Sequence, residues 1–289
     1  MDIAGRLCEI VASGRAGRQV ATLCRKEDLL RAADILERAR KVCVVTGFFV
    51  PAADAPETDG PPGAAVLARA LGHLGKESRT ITDRPNLKAL EACCSVLGIE
   101  APLQAASPED ILSLAPDVLV FAERVGRVED GRYYNMRGED ITAWTAPLDG
   151  AADRAAEKGI PLVAIGDGGN EAGMGCLKGK LEALLPSFSC CLCRVKADVA
   201  VPVDVSNWGA YALTGMLSVR ARKWLGHEPE EEGAMLEAMV ARGAVDGVSC
   251  QKTPSVDGMP AEVHAAVVAR IKALCMEHIP QRDVSEPCR

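Results

Sequence analysis

The chain has 289 residues, enough to bury a full-sized core in one large domain or two modest ones. Its hydrophobic fraction of 48% and charged fraction of 25% are ordinary for a globular protein, and with aromatics at only 3% the core must be built from Ala, Val and Leu. A net charge of -7 argues against nucleic acid or an anionic membrane as the main partner, because both reward clustered Lys and Arg, and it suits an enzyme that binds cations.

No segment reaches the ~18 consecutive apolar residues that a membrane span needs. Met1 to Gly17 is interrupted by Asp2, Arg6, Glu9 and Arg15 and lacks the apolar run of a secretory signal, so the cytoplasm is the expected location. The 12 cysteines are scattered and are expected to stay reduced.

In chain order, Leu29, Leu30, Ala33 and Leu36 fall at helical spacing over residues 26–40. Lys41 to Thr46 is a β-branched run ending at Gly47, a buried strand. A loop rich in Pro, Ala and Asp covers 48–60, and Pro61-Pro62-Gly63 opens a helix running to about Leu74. Ser78 to Thr82 is a strand ending at Asp83, followed by a helix over Asn86 to Leu97. A helix around 108–114 precedes a third strand, Val118 to Ala122, which ends at Glu123-Arg124. The polar stretch Gly126 to Gly138 leads to a helix over Asp149 to Lys158 and a fourth strand, Pro161 to Ile165, ending at Gly166-Asp167. Glu171 to Leu185 reads as a glycine-bearing helix and Arg194 to Val203 as a fifth strand. Asn207 to Leu225, Glu230 to Arg242 and Pro260 to His278 read as helices, with a frayed end from Pro280. Strands separated by helices predict a layered, mostly parallel, Rossmann-like α/β sheet with helices on both faces. The simplest organisation is one domain over residues 1–289, with a core at about 26–225 and C-terminal helices over 226–279.

In open parallel sheets, ligands sit beyond the carboxyl ends of the strands. Those ends are Gly47, Asp83, Glu123, Asp167 and Asp204, so four of the five strands end in or beside a carboxylate. Carboxylates gathered on one edge repel unless protons or a cation join them, and an all-oxygen set suits Mg²⁺ or Mn²⁺, with Ca²⁺ also compatible, over Zn²⁺. Three segments concentrate such groups. Gly166-Asp167-Gly168-Gly169-Asn170-Glu171-Ala172-Gly173-Met174-Gly175 offers ligand oxygens at Asp167, Asn170 and Glu171, and backbone N–H groups at Gly168 and Gly169 for an anion. In Glu57-Thr58-Asp59-Gly60-Pro61-Pro62-Gly63, Glu57 and Asp59 are two apart on an extended loop and can share an ion, with Thr46 and Gly47 upstream as part of an anion pocket. In Glu123-Arg124-Val125-Gly126, continuing through Tyr133-Tyr134-Asn135-Met136-Arg137-Gly138, Glu123 is a further ligand. There Arg124 and Arg137 can clamp a substrate carboxylate or phosphate, and Tyr133 and Asn135 can add neutral hydrogen bonds. Two weaker features complete the set. Cys190-Cys191-Leu192-Cys193 reads as core or edge thiols at a strand start. Ser206-Asn207-Trp208-Gly209 reads as a helix N-cap, where Asn207 is close enough to the same edge to touch substrate.

Together these segments resemble the family of the D-glutamate cyclase C-terminal domain, long carried as a domain of unknown function. The likeness rests on Thr46-Gly47-Phe48, Glu57 to Gly63, Glu123-Arg124 with Tyr133 to Gly138, and Gly166 to Gly175, and runs from about residue 40 to 210. The resemblance implies conversion of D-glutamate to 5-oxo-D-proline with loss of water, or else a Mn²⁺- or Mg²⁺-dependent phosphatase activity on a small phosphorylated metabolite, as suggested for prokaryotic relatives. One departure accompanies it: the animal mitochondrial cyclase carries a further N-terminal domain for which this length leaves no room.

The leading expectation is cyclodehydration, with a metal on Asp59, Glu123 and Asp167 as Lewis acid, Arg124 or Arg137 anchoring the α-carboxylate, and Glu171 as general base. The expected partner is a small anionic metabolite, an amino acid or a phosphate ester, bound by a chain free to form a homo-oligomer. A non-catalytic metal- or metabolite-binding protein is the reading from another class.

Overall fold

The computed structural model describes residues 2–15, 17 and 19–280. Six parallel strands form the central sheet: β1 (Lys41–Gly47), β4 (Glu77–Thr82), β5 (Leu103–Gln104), β6 (Val118–Arg124), β7 (Leu162–Gly166) and β8 (Val199–Pro202). The gaps in number belong to a small hairpin, β2 (Phe49–Val50) with β3 (Ala55–Pro56), and a second one, β9 (Ser255–Val256) with β10 (Met259–Pro260). The spatial order is β5-β4-β1-β6-β7-β8, so the chain works outward from β1 in one direction and then restarts at β6 on its other side. Every pairing within this six-stranded sheet is parallel, with Val44 between Thr80 and Val120 at the sheet centre. The expected α/β class and parallel sheet are therefore present, with one short strand, β5, that the sequence did not announce.

Among the described residues, ten α-helices pack on the sheet or on one another: α1 (Ile3–Val11), α2 (Lys26–Arg38), α3 (Pro61–His73), α4 (Leu87–Val96), α5 (Pro108–Leu112), α6 (Gly150–Glu157), α7 (Lys178–Leu184), α8 (Ser206–Arg220), α9 (Pro229–Ala241) and α10 (Ala261–Met276). The two faces are unequal. Val42, Val44, Val118, Val120 and Ala122 face the larger core, which they share with α1 to α4 and α8 to α10. Cys43, Val45, Leu119 and Phe121 face a smaller one closed by α5 and α6. This period-two alternation across a sheet buried on both sides explains the unbroken apolar runs in β1 and β6. α8 is buried almost along its whole length, from Ser206 to Ser218, which is possible because Ala and Gly let α3 and α10 approach it closely.

Three sequence expectations are corrected. The region after Glu171 holds only a 3-10 turn, Gly175–Leu177, before the α-helix starts at Lys178, because Gly173 takes φ 107° and its N–H and that of Gly175 both donate to the Val195 carbonyl. A side chain at Gly173 would also meet the Cβ of Ala164 at 2.2 Å. The fifth expected strand is only Val199–Pro202, since Arg194 and Ala197 donate instead to the carbonyls of Arg127 and Gly173. The cysteine run begins in a 3-10 turn, Pro186–Cys191, and continues through Leu192 and Cys193 in irregular chain, not at a strand start. Among the described residues no helix is long and apolar enough to cross a membrane. Residues 281–289, expected to be frayed, lie outside the described residues.

Candidate active site

The strand order reverses between β1 and β6, and the carboxyl ends of these two strands flank the crevice where ligands of open α/β sheets collect. A cavity of 490 Å³ opens at this edge, lined among others by Glu57, Glu123, Asn135, Arg137, Asp167, Gly168, Asn170 and Asp257.

Glu123 reaches the cavity through a backbone irregularity. Thr46 pairs with Ala122 and Gly47 with Arg124, so Glu123 is an extra residue bulged out of β6, with φ 46°. A non-glycine residue in this conformation costs about 1–2 kcal/mol and is typical of functional edges. Simple alternation would put Glu123 on the α6 face with Leu119 and Phe121. The bulge turns it to the opposite side, where Oε2 accepts from the Ser206 hydroxyl of α8. The same inversion sends Arg124 away from the cavity. Its guanidinium is 1% exposed, pairs with Asp83 Oδ2 at 2.7 Å and donates to the carbonyls of Gly47 and Ala146. Arg124, expected to clamp substrate, is instead a strut joining the ends of β1, β4 and β6.

The Gly166–Gly175 turn is braced from within. Glu171 folds back so that its carboxylate accepts from the backbone N–H groups of Asp167 (2.9 Å), Gly168 (2.6 Å) and Gly169 (2.7 Å). That leaves no room for a side chain at Gly166, whose Cβ would sit 2.6 Å from the Glu171 carboxyl carbon. The turn is also sewn to the β6 end, with Ala172 N–H donating to Arg124 O and Gly126 N–H to Asn170 O. The N–H groups expected to receive a substrate anion at Gly168 and Gly169 thus already serve Glu171. Those three bonds also compete for the lone pairs that a general base would need, so Glu171 is foremost the brace of the turn.

Asp59 is held by the helix that follows β8. Its Oδ2 accepts from Ser206 N–H at 2.9 Å and its Oδ1 from Asn207 N–H at 2.9 Å. The α8 N-terminus is therefore capped from across the chain, not by Ser206 itself, and the positive end of the helix dipole favours the carboxylate. Asn207 reciprocates through Oδ1, which accepts from Gly60 and Gly63 N–H, and so fixes the 57–63 loop. Gly60, at φ 98°, passes so close to β1 and β6 that a Cβ would meet Thr46 Oγ1 at 2.5 Å and Glu123 Cβ at 2.7 Å.

These placements bring Asp59, Asp167 and Asp257 together, and Glu123, Asp167 and Glu171, with the donor oxygens in each group lying within 4.8 Å of one another. Asp167 belongs to both and is hydrogen-bonded to Asp59. The electrostatic cost is visible in the carboxyl groups. Burial, with the charge of Asp257 adding to it, pushes Asp59 up to about 7. Burial and then the charges of Glu171, Asp59 and Glu57 raise Glu123 well above the usual carboxylate range. Protons or a cation must offset such crowding. Both groups are made of carboxylates alone, a donor set that fits a hard divalent cation.

Asp257 was not singled out from the sequence. It sits at φ 52° before Gly258 at φ 74°, the two central residues of the β9–β10 hairpin. Asp-Gly between Val256 and Met259 is the signature of a two-residue primed turn, and that signal was available. The other expected residues divide clearly. Glu57, Glu123, Asn135, Arg137, Asp167, Gly168 and Asn170 line the cavity. Arg137 is held there by the carbonyls of Gly247 and Val248, and Asn170 donates to the Tyr134 carbonyl. Thr46, Gly47, Gly169 and Asn207 are packed behind it. Tyr133 is buried and donates to Asp149 at 2.6 Å, supporting the 126–149 segment from within. Asp83 is taken by Arg124. Asp204 turns the other way, accepting from Gly14 and Arg15 N–H and from the Ser13 hydroxyl, so it ties down the N-terminal segment and does not join the acidic group.

A doubly wound parallel sheet with a carboxylate-lined crevice at its switch point defines an open α/β protein with a candidate ligand site at the carboxyl ends of its strands. The chain belongs to the D-glutamate cyclase-like family, in its C-terminal part, which residues 7–272 match. It is 34% identical to human mitochondrial D-glutamate cyclase, across 88% of this chain and 49% of that protein, so it spans about half the length of the curated relative it matches. Among solved structures, an exopolyphosphatase-related protein from Bacteroides fragilis is similar over 90% of this chain and 59% of its own, at 12% identity and a TM-score of 0.41. RecJ from Thermus thermophilus, in complex with Mn²⁺, is similar over 87% and 38%, at 13% identity and a TM-score of 0.26.

Proposed function

We propose that this protein is a D-glutamate cyclase-like lyase that closes D-glutamate to 5-oxo-D-proline with loss of water, using Mg²⁺ or Mn²⁺. The observation carrying the proposal is the meeting of Asp59, Asp167 and Asp257, from three distant stretches of chain, where Asp167 and Asp257 line a cavity, in a protein of this family. Asp59, Asp167 and Asp257, with Glu123 beside them, are the residues that would hold the cation. When bound, it would supply Lewis-acid polarisation of a substrate oxygen.

The remaining roles belong to the chain itself. Arg137 offers the cavity a guanidinium and is the proposed anchor for the α-carboxylate. Asn135 and Asn170 border the same space and orient the substrate by neutral hydrogen bonds. Glu171 keeps the Gly166–Gly175 turn closed, so that Asp167 keeps its position. Asn207 does the same for the loop carrying Glu57 and Asp59. Holding the amine and the γ-carboxyl of one molecule in a folded geometry is itself a large part of the acceleration available to a ring closure.

The test is direct. Purified protein supplied with Mg²⁺ or Mn²⁺ is offered D-glutamate, L-glutamate and a generic phosphomonoester in parallel. Formation of 5-oxo-D-proline from the D-isomer is expected. Phosphate release without 5-oxoproline would reject the cyclase reading.

A further inference from the structure

The carboxylates account for only part of the cavity lining. Its 490 Å³ falls within the ~300–1,000 Å³ that encloses drug-sized ligands, far more than a five-carbon amino acid fills. Much of the remaining lining is apolar, with Phe48, Phe49, Val50 and Leu185 buried or half-buried and Phe188 and Val248 exposed. Four large hydrophobic side chains are exposed among the described residues, and three of them gather here. Phe188 (38%) and Val248 (52%) line the cavity. Trp144 (37%) stacks on Phe49, with ring centroids 6.4 Å apart and planes 11° from parallel. Exposed apolar surface concentrated at one place marks a contact site, and here it is continuous with the acidic wall.

Charge points the same way. Glu57, Glu123, Asp167 and Asp257 line the cavity, and among the described residues Arg137 is its one cationic side chain. A ligand with one carboxylate and a large apolar group complements that lining better than free glutamate, which brings two carboxylates and no apolar group.

We propose that the cavity takes a D-glutamate whose γ-carbonyl carries an apolar amine in amide linkage, and cyclises it. This rests on the D-glutamate reading above. The α-amine nitrogen attacks the γ-carbonyl carbon, a new C–N bond closes the five-membered lactam, and the original γ C–N bond breaks. The proton lost by the attacking nitrogen ends on the departing amine, so 5-oxo-D-proline and a free apolar amine leave, with no water, oxidant or co-substrate consumed. A neutral amine also departs more readily than the hydroxide that a free carboxylate must lose. The apolar amine rests against Phe49, Phe188 and Val248.

The probe is γ-D-glutamyl-p-nitroanilide, whose cyclisation frees coloured p-nitroaniline. Binding by calorimetry and turnover are measured beside D-glutamate on the Mg²⁺-supplemented protein and on a Phe188→Ser/Val248→Ser double variant, both positions being exposed and of little consequence for folding. The anilide is expected to bind at least about ten-fold more tightly than D-glutamate, to release p-nitroaniline, and to lose that preference in the double variant. Equal or weaker binding of the anilide, or a preference unchanged in the double variant, overturns the inference. Cyclisation of D-glutamate with the anilide unbound removes this inference and leaves the cyclase reading standing. Tight anilide binding with no 5-oxoproline from either compound removes the cyclase reading and the step proposed here with it.

Discussion

Trp208 and His264 are joined by a hydrogen bond from the indole Nε1 to the imidazole Nδ1 at 2.9 Å, both rings buried. The other ring nitrogen, Nε2, faces the carbonyls of Val256 and Met259, each at 3.2 Å, which assigns the proton to Nε2. One imidazole therefore links α8, whose first turn holds Asp59, to the hairpin that presents Asp257. Thr58 adds a second tie, its hydroxyl donating to Ser255 O at 2.7 Å. Trp208→Phe removes the donor and leaves Nδ1 buried without it. We predict a loss of about 1–3 kcal/mol in urea unfolding and, at temperatures where the variant is folded, weaker Mg²⁺ binding by calorimetry. Unchanged Mg²⁺ affinity would mean that Asp257 does not depend on this link.

Asp167 is shared by both carboxylate groups, so it is the position where a single isosteric change should be felt most. Asp167→Asn is expected to weaken cation binding by about ten-fold or more, since ligand charge sets affinity at such sites. The thermal stabilisation that Mg²⁺ or Mn²⁺ gives the wild type should shrink accordingly, with the circular dichroism spectrum unchanged. Full activity of the variant at limiting metal would count against the assignment.

The two arginines of the 123–138 region should behave as opposites. Arg124→Leu strands Asp83 in the interior, and breaking a buried pair from one side costs about 3–5 kcal/mol. Arg137 lies at the cavity, where its guanidinium donates to main-chain carbonyls, so Arg137→Leu should cost much less in unfolding free energy while raising KM for D-glutamate. The comparison is made on the two purified variants by denaturant titration and steady-state kinetics. A stable Arg124→Leu protein with a raised KM would reverse the assignment.

The metal-free protein should become less stable as pH rises from about 4 to about 7. Asp59 is raised from its ordinary value of 3.8 to about 7 in the folded state, so between those values the native chain holds a proton that the unfolded chain has lost. Its contribution is fully present below pH 3.8 and is lost as pH climbs through about 7. Glu123, raised in the same direction, steepens the trend. A divalent cation replaces the protons, so the rise in Tm on adding Mg²⁺ should grow between pH 5 and pH 8. A Tm increment independent of pH would show that these carboxyls do not receive the ion.

Much of this architecture could be read from residue order alone. The apolar runs of β1, β6 and β7, the Pro-Pro-Gly start of α3 and the glycine-rich turn after β7 each follow from local rules, and they place Asp59, Glu123 and Asp167 at one edge. What the sequence withheld is mostly long-range. Period-two alternation points Glu123 to the wrong face, because a bulge depends on how two strands meet and not on either one. Arg124 looked like a substrate clamp because its partner, Asp83, is 41 positions away and only the fold brings them together. Asp204 satisfied the strand-end rule, yet the N-terminal segment claims its carboxylate. Asp257 is the reverse case: its Asp-Gly turn was legible as a hairpin, but nothing local revealed that this hairpin reaches the crevice.

The most direct measurement is a crystal of the protein soaked in Mn²⁺, with the metal located by its anomalous scattering. We predict a peak within about 2.0–2.6 Å of carboxylate oxygens from at least two of Asp59, Asp167, Asp257 and Glu123. A fully occupied Mn²⁺ bound elsewhere, with none of these four carboxylates within coordinating distance of an ion, would contradict it.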